Sequence, residues 1–294
     1  MKGALLLTCA ALACVCMVSC SPPRPDHPVI GAKNFTEQVI LGELLAQEIE
    51  AKSGLKVERR FYLAGSYICN QALVSGRIDG YVEYTGTALT AILKQPVDRD
   101  PTRVLETVRR LYLTRDDVVV GKPLGFENTF AMVIRGDDAK NLHLTTLSEA
   151  ARYTPSWRLG VGYEFEQRPD GLPGLSKAYN LHFAGPPRTM DLGLLYRALT
   201  AHQVDMIAAN STDGPIQALG LVALEDDKHY FPPYQAVPLV RNESLRRWPQ
   251  IAVALDALAG KITADDMRAM NEAVDGHHRD PAEVVREFRS RHSL

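Results

Sequence analysis

Residues 28–54 read PVIGAKNFTEQVILGELLAQEIEAKSG, and this stretch decides the fold class. Residues 29–32 form a short apolar run that predicts a buried strand, and the apolar residues after it recur at helical spacing. Asn34 is the predicted N-cap of that helix and Gly54 its predicted end, so Lys33 is expected at a strand-to-helix junction. The same alternation of apolar runs and amphipathic stretches continues along the chain. It predicts an α/β protein with mostly parallel sheet.

Further helices are predicted wherever apolar residues recur on one helical face. These stretches lie near Asn70–Ser75, Pro101–Leu113, Gly174–Asn180, Asp191–Ala201, Glu243–Leu258, Ala264–Val274 and Pro281–Arg291.

The length and the charge of the chain exclude several classes of protein. Its 294 residues correspond to two domains of about 150 residues each. The formal net charge is −2, from 33 basic and 35 acidic residues, so the basic excess of a nucleic-acid-binding protein is missing. Hydrophobic residues make up 46% and charged residues 23%, which is typical of a globular protein rather than a disordered chain or a coiled coil.

The N-terminal residues predict export from the cytoplasm. Four of the five cysteines lie in the first twenty residues, within or beside an apolar run from residue 4 to residue 18. The run is about 15 residues long, which is short for a membrane span of about 20. We therefore expect a signal peptide at residues 1–19 and an extracytoplasmic mature protein that does not span a membrane.

Residues 17–20, MVSC, resemble a bacterial lipobox, in which the cysteine becomes the lipidated first residue. The resemblance implies that Cys20 carries a lipid and that residues 20–27 form a proline-rich, extended tether. Ordinary cleavage without lipidation is the alternative. The expected location is therefore the cell membrane, through a lipid anchor, or the periplasm.

One sequence pattern occurs twice, 126 residues apart. Residues 72–86 contain Ala-Leu, then four residues, then Ile-Asp and finally EYTG, while residues 198–212 contain Ala-Leu, four residues, Val-Asp and finally ANST. We interpret the pattern as one helix–turn–strand unit in each of two lobes, with a chance match as the alternative. Ligands of open α/β sheets bind beyond the carboxyl ends of strands. Tyr84 and Asn210 are therefore expected at equivalent positions that face one cleft.

Motifs of enzymes and of metal sites are absent from the sequence. There is no G-x-S-x-G, no H-E-x-x-H, no P-loop and no paired C-x-x-C. His277 and His278 have no further candidate ligands beside them and are expected in a solvated turn. Residues 211–214, STDG, are explained by turn chemistry, and Cys69 is expected to be a small buried residue rather than a reactive thiol. We expect no catalytic residue, no metal and no cofactor.

The remaining candidates are aromatic and basic residues at strand ends and loop starts. The rings of Tyr84, Phe130 and Tyr234 could attract an organic cation such as trimethylammonium. Lys33 and Arg168 lie near helix N-termini, where a carboxylate ligand is favoured. Together the five residues describe a pocket for a small zwitterion. The alternative is that the rings cover the core and that the two cations are surface charges.

Five ordered motifs make the sequence recognisable. They are KNFTEQ with GE at residues 33–43, EYTGTAL at 83–89, RPDGLPGL at 168–175, STDG at 211–214 and LEDDKH through FPPY at 224–234. This set resembles the substrate-binding proteins of ABC transporters for glycine betaine, choline and carnitine. The resemblance extends from about residue 29 to the C-terminus.

The resemblance implies the two-lobe periplasmic-binding-protein fold of type II, an α/β fold whose lobes are joined by two hinge strands. The crossings would lie near residues 128–132 and 234–238. Lobe I would then comprise residues 28–127 plus 236–294, and lobe II residues 128–235.

The resemblance also implies a set of ligand-binding residues. The aromatic cage of the family, usually four tyrosines, corresponds here to Tyr84, Phe130, Asn210 and Tyr234, and the carboxylate end of the site corresponds to Lys33, Thr87 and Arg168. Asn128, at the first crossing, completes the set. An arginine can hold a carboxylate through two parallel hydrogen bonds, and a lysine adds a point charge.

Asn210 departs from the family pattern, because it replaces the third cage tyrosine. The change removes a ring face and should weaken binding of a bare trimethylammonium by roughly 0.5–2 kcal/mol. It also adds an amide, which favours a ligand with its own polar group near the cage. Ergothioneine, a thiolated histidine betaine, fits that description. The alternative is that Asn210 merely lines the wall and that glycine betaine still binds.

The sequence therefore predicts an extracytoplasmic substrate-binding lipoprotein of an ABC importer that captures a small quaternary-ammonium zwitterion. Its expected partners are a membrane permease and the cytoplasmic ATPase of that transporter, and we expect the chain to be a monomer and not an enzyme. An exported enzyme, or a sensor that binds without transport, on the same scaffold is the alternative class.

Overall fold

The computed structural model describes residues 25–294. The predicted signal peptide at residues 1–19, the lipidation site Cys20 and the first part of the tether lie outside the described residues. Among residues 25–294, no helix combines the length and the apolar character that crossing a membrane would require.

Two five-stranded sheets form the framework of the protein. In the first sheet the strand order is β2-β1-β3-β10-β4, with parallel pairing around β1 and antiparallel pairing of β10 with both neighbours. Its strands are β1 (Val29–Gly31), β2 (Glu58–Arg60), β3 (Gly80–Tyr84), β4 (Val118–Val120) and β10 (Ala236–Arg241).

The second sheet repeats this arrangement with the order β7-β6-β8-β5-β9. Here β6 pairs in parallel with β7 and β8, whereas β5 is antiparallel to β8 and β9. Its strands are β5 (Phe130–Arg135), β6 (Leu159–Val161), β7 (Arg188–Thr189), β8 (Met206–Asn210) and β9 (Leu221–Leu224). The α/β fold expected from the sequence is confirmed, but the prediction of mostly parallel sheet is wrong. Each sheet has two parallel and two antiparallel pairings, because β10 and β5 run antiparallel to both of their neighbours.

Helices connect the strands and cover both faces of each sheet. They are α1 (Thr36–Ser53), α2 (Ser66–Val74), α3 (Pro101–Asp116), α4 (Gly136–Leu142), α5 (Leu147–Ala150), α6 (Tyr163–Gln167), α7 (Leu172–Tyr179), α8 (Leu192–Thr200), α9 (Pro215–Ala218), α10 (Asn242–Arg247), α11 (Gln250–Leu258), α12 (Ala264–Asp275) and α13 (Pro281–His292). Successive side chains of a strand point to opposite faces. Accordingly, Val82 and Val240 belong to one apolar cluster of the first sheet, and Tyr81 and Leu239 belong to another.

The predicted repeat is present in the structure. Helix α2 and strand β3 reappear as α8 and β8, with every boundary displaced by 126 residues. In each sheet this strand has a parallel partner on one side and an antiparallel partner on the other. Tyr84 and Asn210 are therefore the last residues of equivalent strands, as the sequence predicted.

Helix α1 begins at Thr36, one residue later than the predicted N-cap at Asn34 implies. Asn34 is not the cap, because Phe35 occupies that position in an extended conformation without a side-chain hydrogen bond. The backbone N–H of Asn34 instead donates to the carbonyl of Ala64, which fixes Asn34 in the loop after β1. The predicted end is confirmed: Gly54 adopts φ 68° and its N–H donates to the carbonyl of Glu50. A left-handed φ of this kind favours glycine.

The single helix predicted over residues 243–258 is wrong. The structure has two helices, α10 and α11, which are separated by Trp248 and Pro249. A residue that precedes proline is disfavoured in the helical conformation, and Trp248 has φ −133° and ψ 78°. The predicted helix at 70–75 also begins earlier than expected, at Ser66.

The chain passes between the two sheets at two neighbouring segments. The N–H of Asn128 donates to the carbonyl of Tyr234 at 3.1 Å, and Glu127 pairs with Gln235 in an isolated antiparallel bridge. Phe130 and Ala236 then begin strands of the second and first sheets. These adjacent segments bring residues of both sheets to one cleft.

Candidate functional site

One cavity of about 330 Å³ lies between the two sheets, and all eight predicted ligand-binding residues line it. They are Lys33, Tyr84, Thr87, Asn128, Phe130, Arg168, Asn210 and Tyr234. The lining residues lie at the carboxyl ends of β1, β3, β6 and β8 and at the crossings between the sheets. Strand ends from distant parts of the sequence meet there because parallel strands present their carboxyl ends at the same edge.

Tyr84 is the last residue of β3. Its ring lies against Lys33, and its hydroxyl group is hydrogen-bonded to side chains of α1. The hydroxyl donates to Glu37 Oε1 at 2.5 Å and accepts a hydrogen bond from Gln38 Nε2 at 3.1 Å. The ammonium group of Lys33 lies 4.7 Å from the ring centroid, which is cation–π distance. Burial raises the pKa of the Tyr84 phenol well above its usual value, so the hydroxyl stays protonated.

Lys33 is a buried cation that the structure neutralises internally. Its Nζ lies 2.5 Å from Glu83 Oε1 and donates to Ser66 Oγ at 3.2 Å. Glu83 is fully buried and also accepts from the backbone N–H of Tyr84 and from the hydroxyl of Tyr81. A buried ion pair persists only when its remaining groups find such partners. The ammonium has three donors, so one N–H has no partner among residues 25–294 and can bind a ligand.

Arg168 is likewise paired, and its guanidinium stacks on two rings of the cavity. Its Nε and Nη2 donate to Asp170 at 3.0 and 2.5 Å. The guanidinium carbon lies 4.9 Å from the Phe130 centroid and 5.9 Å from that of Tyr234. Burial alone would raise the pKa of Asp170, but the hydrogen bonds and the charge of Arg168 hold it below its usual value. Among the described residues, Arg168 Nη1 has no partner.

The rings of Phe130 and Tyr234 meet edge to face, with centroids 5.7 Å apart and an interplanar angle of 76°. Phe165 continues the cluster at 4.8 Å from Phe130 and also lines the cavity. The hydroxyl of Tyr234 donates to Asp170 at 2.6 Å, so the carboxylate that holds Arg168 also holds this ring. Phe165 was missed by the sequence analysis. It lies three residues before the motif that begins at Arg168, and its spacing in a short helix gives no sign of the cavity.

Glu37, the second residue missed, binds groups from both sheets and from the crossing. Its Oε1 accepts from Tyr84 and from Asn128 Nδ2 at 2.8 Å. Its Oε2 accepts from Thr212 Oγ1 at 2.5 Å and from Asn271 Nδ2 at 3.0 Å. The sequence analysis included Glu37 only as a letter of the KNFTEQ motif and gave it no role at the site. Its partners are between 47 and 234 positions away in the chain, so no local pattern reveals them.

Asn210 faces the cavity with its amide bound to a neighbouring carboxylate. Its Nδ2 lies 3.3 Å from both oxygens of Asp213, and its backbone N–H donates to Asp213 Oδ2 at 3.1 Å. The hydroxyl of Tyr196 donates to the same oxygen at 2.7 Å. Burial raises the pKa of Asp213 to about 7, although the hydrogen bonds from Tyr196 and Asn210 act to lower the pKa.

Thr87 and Asn128 are the last two of the eight predicted ligand-binding residues, and each has a polar atom without a partner among the described residues. Thr87 is buried directly after β3, and within residues 25–294 its hydroxyl has no hydrogen-bond partner. Asn128 is also buried, and its Oδ1 is without a partner although its Nδ2 binds Glu37. Such unpaired buried atoms are uncommon in proteins and indicate groups available to a ligand.

Residues outside the cavity agree with the simpler interpretations of the sequence. Cys69 is fully buried, and burial raises its pKa to about 12, so it is not a reactive thiol. His277 and His278 are exposed at the end of α12. Over the part of the chain that the structure describes, no group of three His, Cys, Asp or Glu side chains could hold a metal ion. Ser211 accepts a hydrogen bond from the backbone of Thr129.

Comparisons with known proteins point to one family. Residues 28–291 match the family described as the substrate-binding domain of the ABC-type glycine betaine transport system. The chain is 34% identical over 277 residues to the carnitine transport binding protein OpuCC of Listeria monocytogenes, covering 92% of this chain and 90% of that protein. It is 33% identical over 267 residues to the ergothioneine transport permease/ergothioneine binding protein EgtU of Helicobacter pylori, covering 90% of this chain and 48% of the longer protein.

A solved structure is similar over nearly the whole fold. The crystal structure described as a glycine betaine/carnitine/choline ABC transporter has a TM-score of 0.75 and 33% sequence identity, with 90% of this chain and 98% of that chain covered. The fold is that of type II periplasmic binding proteins.

Proposed function

The chain belongs to the family of substrate-binding domains of ABC-type glycine betaine transport systems, and on that premise we propose that it captures a small quaternary-ammonium zwitterion in the cavity between its sheets. The observation that carries this proposal is that three aromatic rings line the same cavity as hydrogen-bond donors of Lys33, Thr87 and Arg168 that the described residues leave unpaired. The rings are those of Tyr84, Phe130 and Tyr234, and a cavity of about 330 Å³ suits a small ligand.

The carboxylate of the ligand can bind without breaking either internal ion pair. Within the part of the chain that the structure describes, Arg168 retains the donors of Nη1, Lys33 retains one N–H, and the hydroxyl of Thr87 is unpaired. These three residues all line the cavity. Hydrogen bonds from two cations to a carboxylate are charge-assisted and stronger than neutral ones.

The methylated nitrogen binds against the rings, where the local charge favours a cation. The two buried cations, Lys33 and Arg168, are balanced by the buried carboxylates of Glu83 and Asp170, and Glu37 adds a further acidic group behind Tyr84. An organic cation over a tyrosine or phenylalanine face contributes about 0.5–2 kcal/mol per ring.

We propose lobe I at residues 28–127 plus 236–294 and lobe II at residues 128–235. The strands support these boundaries, because every strand of the first sheet falls in the first set and every strand of the second sheet in the second. The Asn128–Tyr234 hydrogen bond joins the two crossings at the boundary. Ligand groups held by both lobes would favour a closed arrangement of the two.

We also propose that the protein works outside the cytoplasm, anchored through Cys20, and delivers its ligand to an ABC permease with its ATPase. The support is the apolar N-terminal segment, the MVSC sequence at residues 17–20 and the family to which the chain belongs. The relatives are transport binding proteins, which favours a binding role over catalysis.

A heteroatom-bearing betaine such as ergothioneine is the second candidate ligand. The observation that favours it is Asn210, which places an amide at a position where the family usually has a cage tyrosine. The identity of 33% to a relative named as an ergothioneine-binding protein agrees with this candidate.

Titration calorimetry with glycine betaine, choline, carnitine and ergothioneine tests the proposal. At least one of them should bind. Tyr84→Ala should weaken its binding by about tenfold, which corresponds to about 1.4 kcal/mol and lies within the range for one ring face. Tyr84→Phe should bind more tightly than Tyr84→Ala, because it retains the ring.

Tyr153→Ala is the matched control. It removes a tyrosine that stacks on Trp157 outside the cavity, so binding should equal that of the unmodified protein. Equal affinity of Tyr84→Ala and the unmodified protein would place the ligand elsewhere.

A further inference from the structure

Two carboxylates that do not line the cavity control which atoms the cavity presents. Asp213 lies behind Asn210, and Glu37 lies behind Asn128. Both asparagines line the cavity close to each other, because Phe130, two residues after Asn128, is the strand partner of Asn210.

Each carboxylate dictates the orientation of the amide in front of it. An ionised carboxylate only accepts hydrogen bonds, so it selects the NH₂ end of an asparagine side chain. Nδ2 of Asn128 lies 2.8 Å from Glu37, and Nδ2 of Asn210 lies 3.3 Å from both Asp213 oxygens. The carbonyl oxygens of both amides are consequently directed away from the carboxylates.

Both carbonyl oxygens are without protein partners. Asn128 Oδ1 is buried and unpaired, and across residues 25–294 nothing donates to Asn210 Oδ1. A buried acceptor without a partner, such as Asn128 Oδ1, destabilises the free protein, and a ligand that donates a hydrogen bond to it removes that cost. At these two positions the cavity wall therefore presents a carbonyl acceptor rather than an amide donor.

We propose that Asp213 is a positioning residue that turns the carbonyl oxygen of Asn210 toward the cavity, so that the site selects betaines with an N–H donor beside the methylated nitrogen. This inference rests on the proposed function and narrows its ligand class. Tyr196 also holds Asp213 in place, because its hydroxyl donates to Asp213 Oδ2 at 2.7 Å.

The test compares two ligands of nearly equal shape by calorimetry at pH 8, where Asp213 is ionised. One is Nα-trimethylhistidine, whose imidazole has an N–H. The other is the same compound methylated at that ring nitrogen, which retains only an acceptor. The unmodified protein should prefer the first by about tenfold, the value of one hydrogen bond to a group otherwise left unpaired.

Asp213→Asn should reverse this preference. The new amide can donate to Asn210 Oδ1, which leaves the NH₂ of Asn210 to face the cavity and to favour the acceptor ligand. A merely structural role would weaken both ligands together and leave their ratio unchanged. Asn210→Leu provides a second readout if Asp213→Asn does not fold. Leucine has no hydrogen-bond acceptor, so this variant should bind the two ligands without preference.

The outcomes separate the two proposals. If the unmodified protein binds neither histidine derivative and none of glycine betaine, choline, carnitine and ergothioneine, the proposed function fails and this inference fails with it. If betaines bind but the two derivatives bind equally, or the preference survives in both variants, the proposed function stands and the inference is overturned.

Discussion

Buried charge is the main determinant of the site at the scale of single residues. Lys33 and Arg168 are each only a few per cent exposed, and each has its own carboxylate. Breaking such a pair leaves an uncompensated buried charge, at a cost of about 3–5 kcal/mol. The two cations are therefore fixed in place before a ligand arrives, which lowers the ordering cost of binding.

Asp213 should make the stability of the protein depend on pH. Its pKa of about 7 in the folded protein exceeds the ordinary value of 3.8, so the folded state retains this proton at pH values where the unfolded chain has lost it. The resulting stabilisation is complete below about pH 4 and is lost as the pH rises through 7, by up to about 1.4 kcal/mol per pH unit.

The measurement is the difference in the free energy of unfolding between the unmodified protein and Asp213→Asn, from urea titrations at pH 5, 6, 7 and 8. The difference should fall by up to about 1.4 kcal/mol per pH unit between pH 5 and 7 and level off above pH 7. Tyr196, Asn210 and Glu37, which face Asp213, are common to both proteins. A difference that is independent of pH would show that Asp213 has an ordinary pKa.

At the scale of elements, the segment after β3 shows how closely the backbone approaches the cavity rings. A short helical turn at Thr85–Thr87 continues into a π-helical turn at Ala88–Ile92. Gly86 permits this approach, because a Cβ there would lie 2.7 Å from two ring atoms of Tyr234. Irregular helical turns of the π type often occur at functional sites.

Gly86→Ala should disturb both stability and binding. The added methyl group would displace the Tyr234 ring, and overpacking of this kind costs about 1–3 kcal/mol. Binding of the ligand found by calorimetry should weaken in parallel, since Tyr234 is one of the cavity rings.

Gly185→Ala is the matched control, because a Cβ there meets no atom within 4 Å. Its melting temperature and affinity should equal those of the unmodified protein. If Gly86→Ala behaves like this control, the packing of Tyr234 on the segment after β3 is not what holds the ring.

At the scale of the whole molecule, the two sheets are connected by more than the crossings. Thr212, which follows β8 of the second sheet, donates to Glu37 in α1, and Asn271 of α12 donates to both Glu37 and the carbonyl of Thr212. Beside the cavity, Glu164 of α6 packs against Gly65, the residue before α2. A Cβ on Gly65 would lie 2.2 Å from Glu164 Oε1.

Thr212→Val should lower the free energy of unfolding by about 1–3 kcal/mol, because Glu37 loses a buried donor while the volume of the side chain is retained. Thr200→Val is the control: its hydroxyl is exposed and bonds only to backbone carbonyls of its own helix. A loss in Thr212→Val no greater than in the control would mean that this link between the sheets contributes little.

The sequence predicted the framework well where the signal was periodic or repeated. The buried strand at residues 29–31, the end of α1 at Gly54 and the 126-residue repeat were all found from local patterns. The errors occurred at boundaries that backbone geometry decides. Asn34 was bound by a distant carbonyl instead of capping α1, and Pro249 divided a helix that periodicity alone had made continuous.

By itself, the sequence determined the alternation of strands and helices and which residues stand at strand ends, because spacing along the chain encodes both. Parallel strands present their carboxyl ends at one edge of a sheet, so the convergence of Lys33 and Tyr84 followed from the topology of the first sheet. Asn210 reaches the same cavity because the second sheet faces the first across it. Only the tertiary structure decided which donors and acceptors are already paired and which are free for a ligand. The pairing of Glu37 with Asn271, for example, joins residues more than two hundred positions apart through side-chain geometry that no local pattern contains.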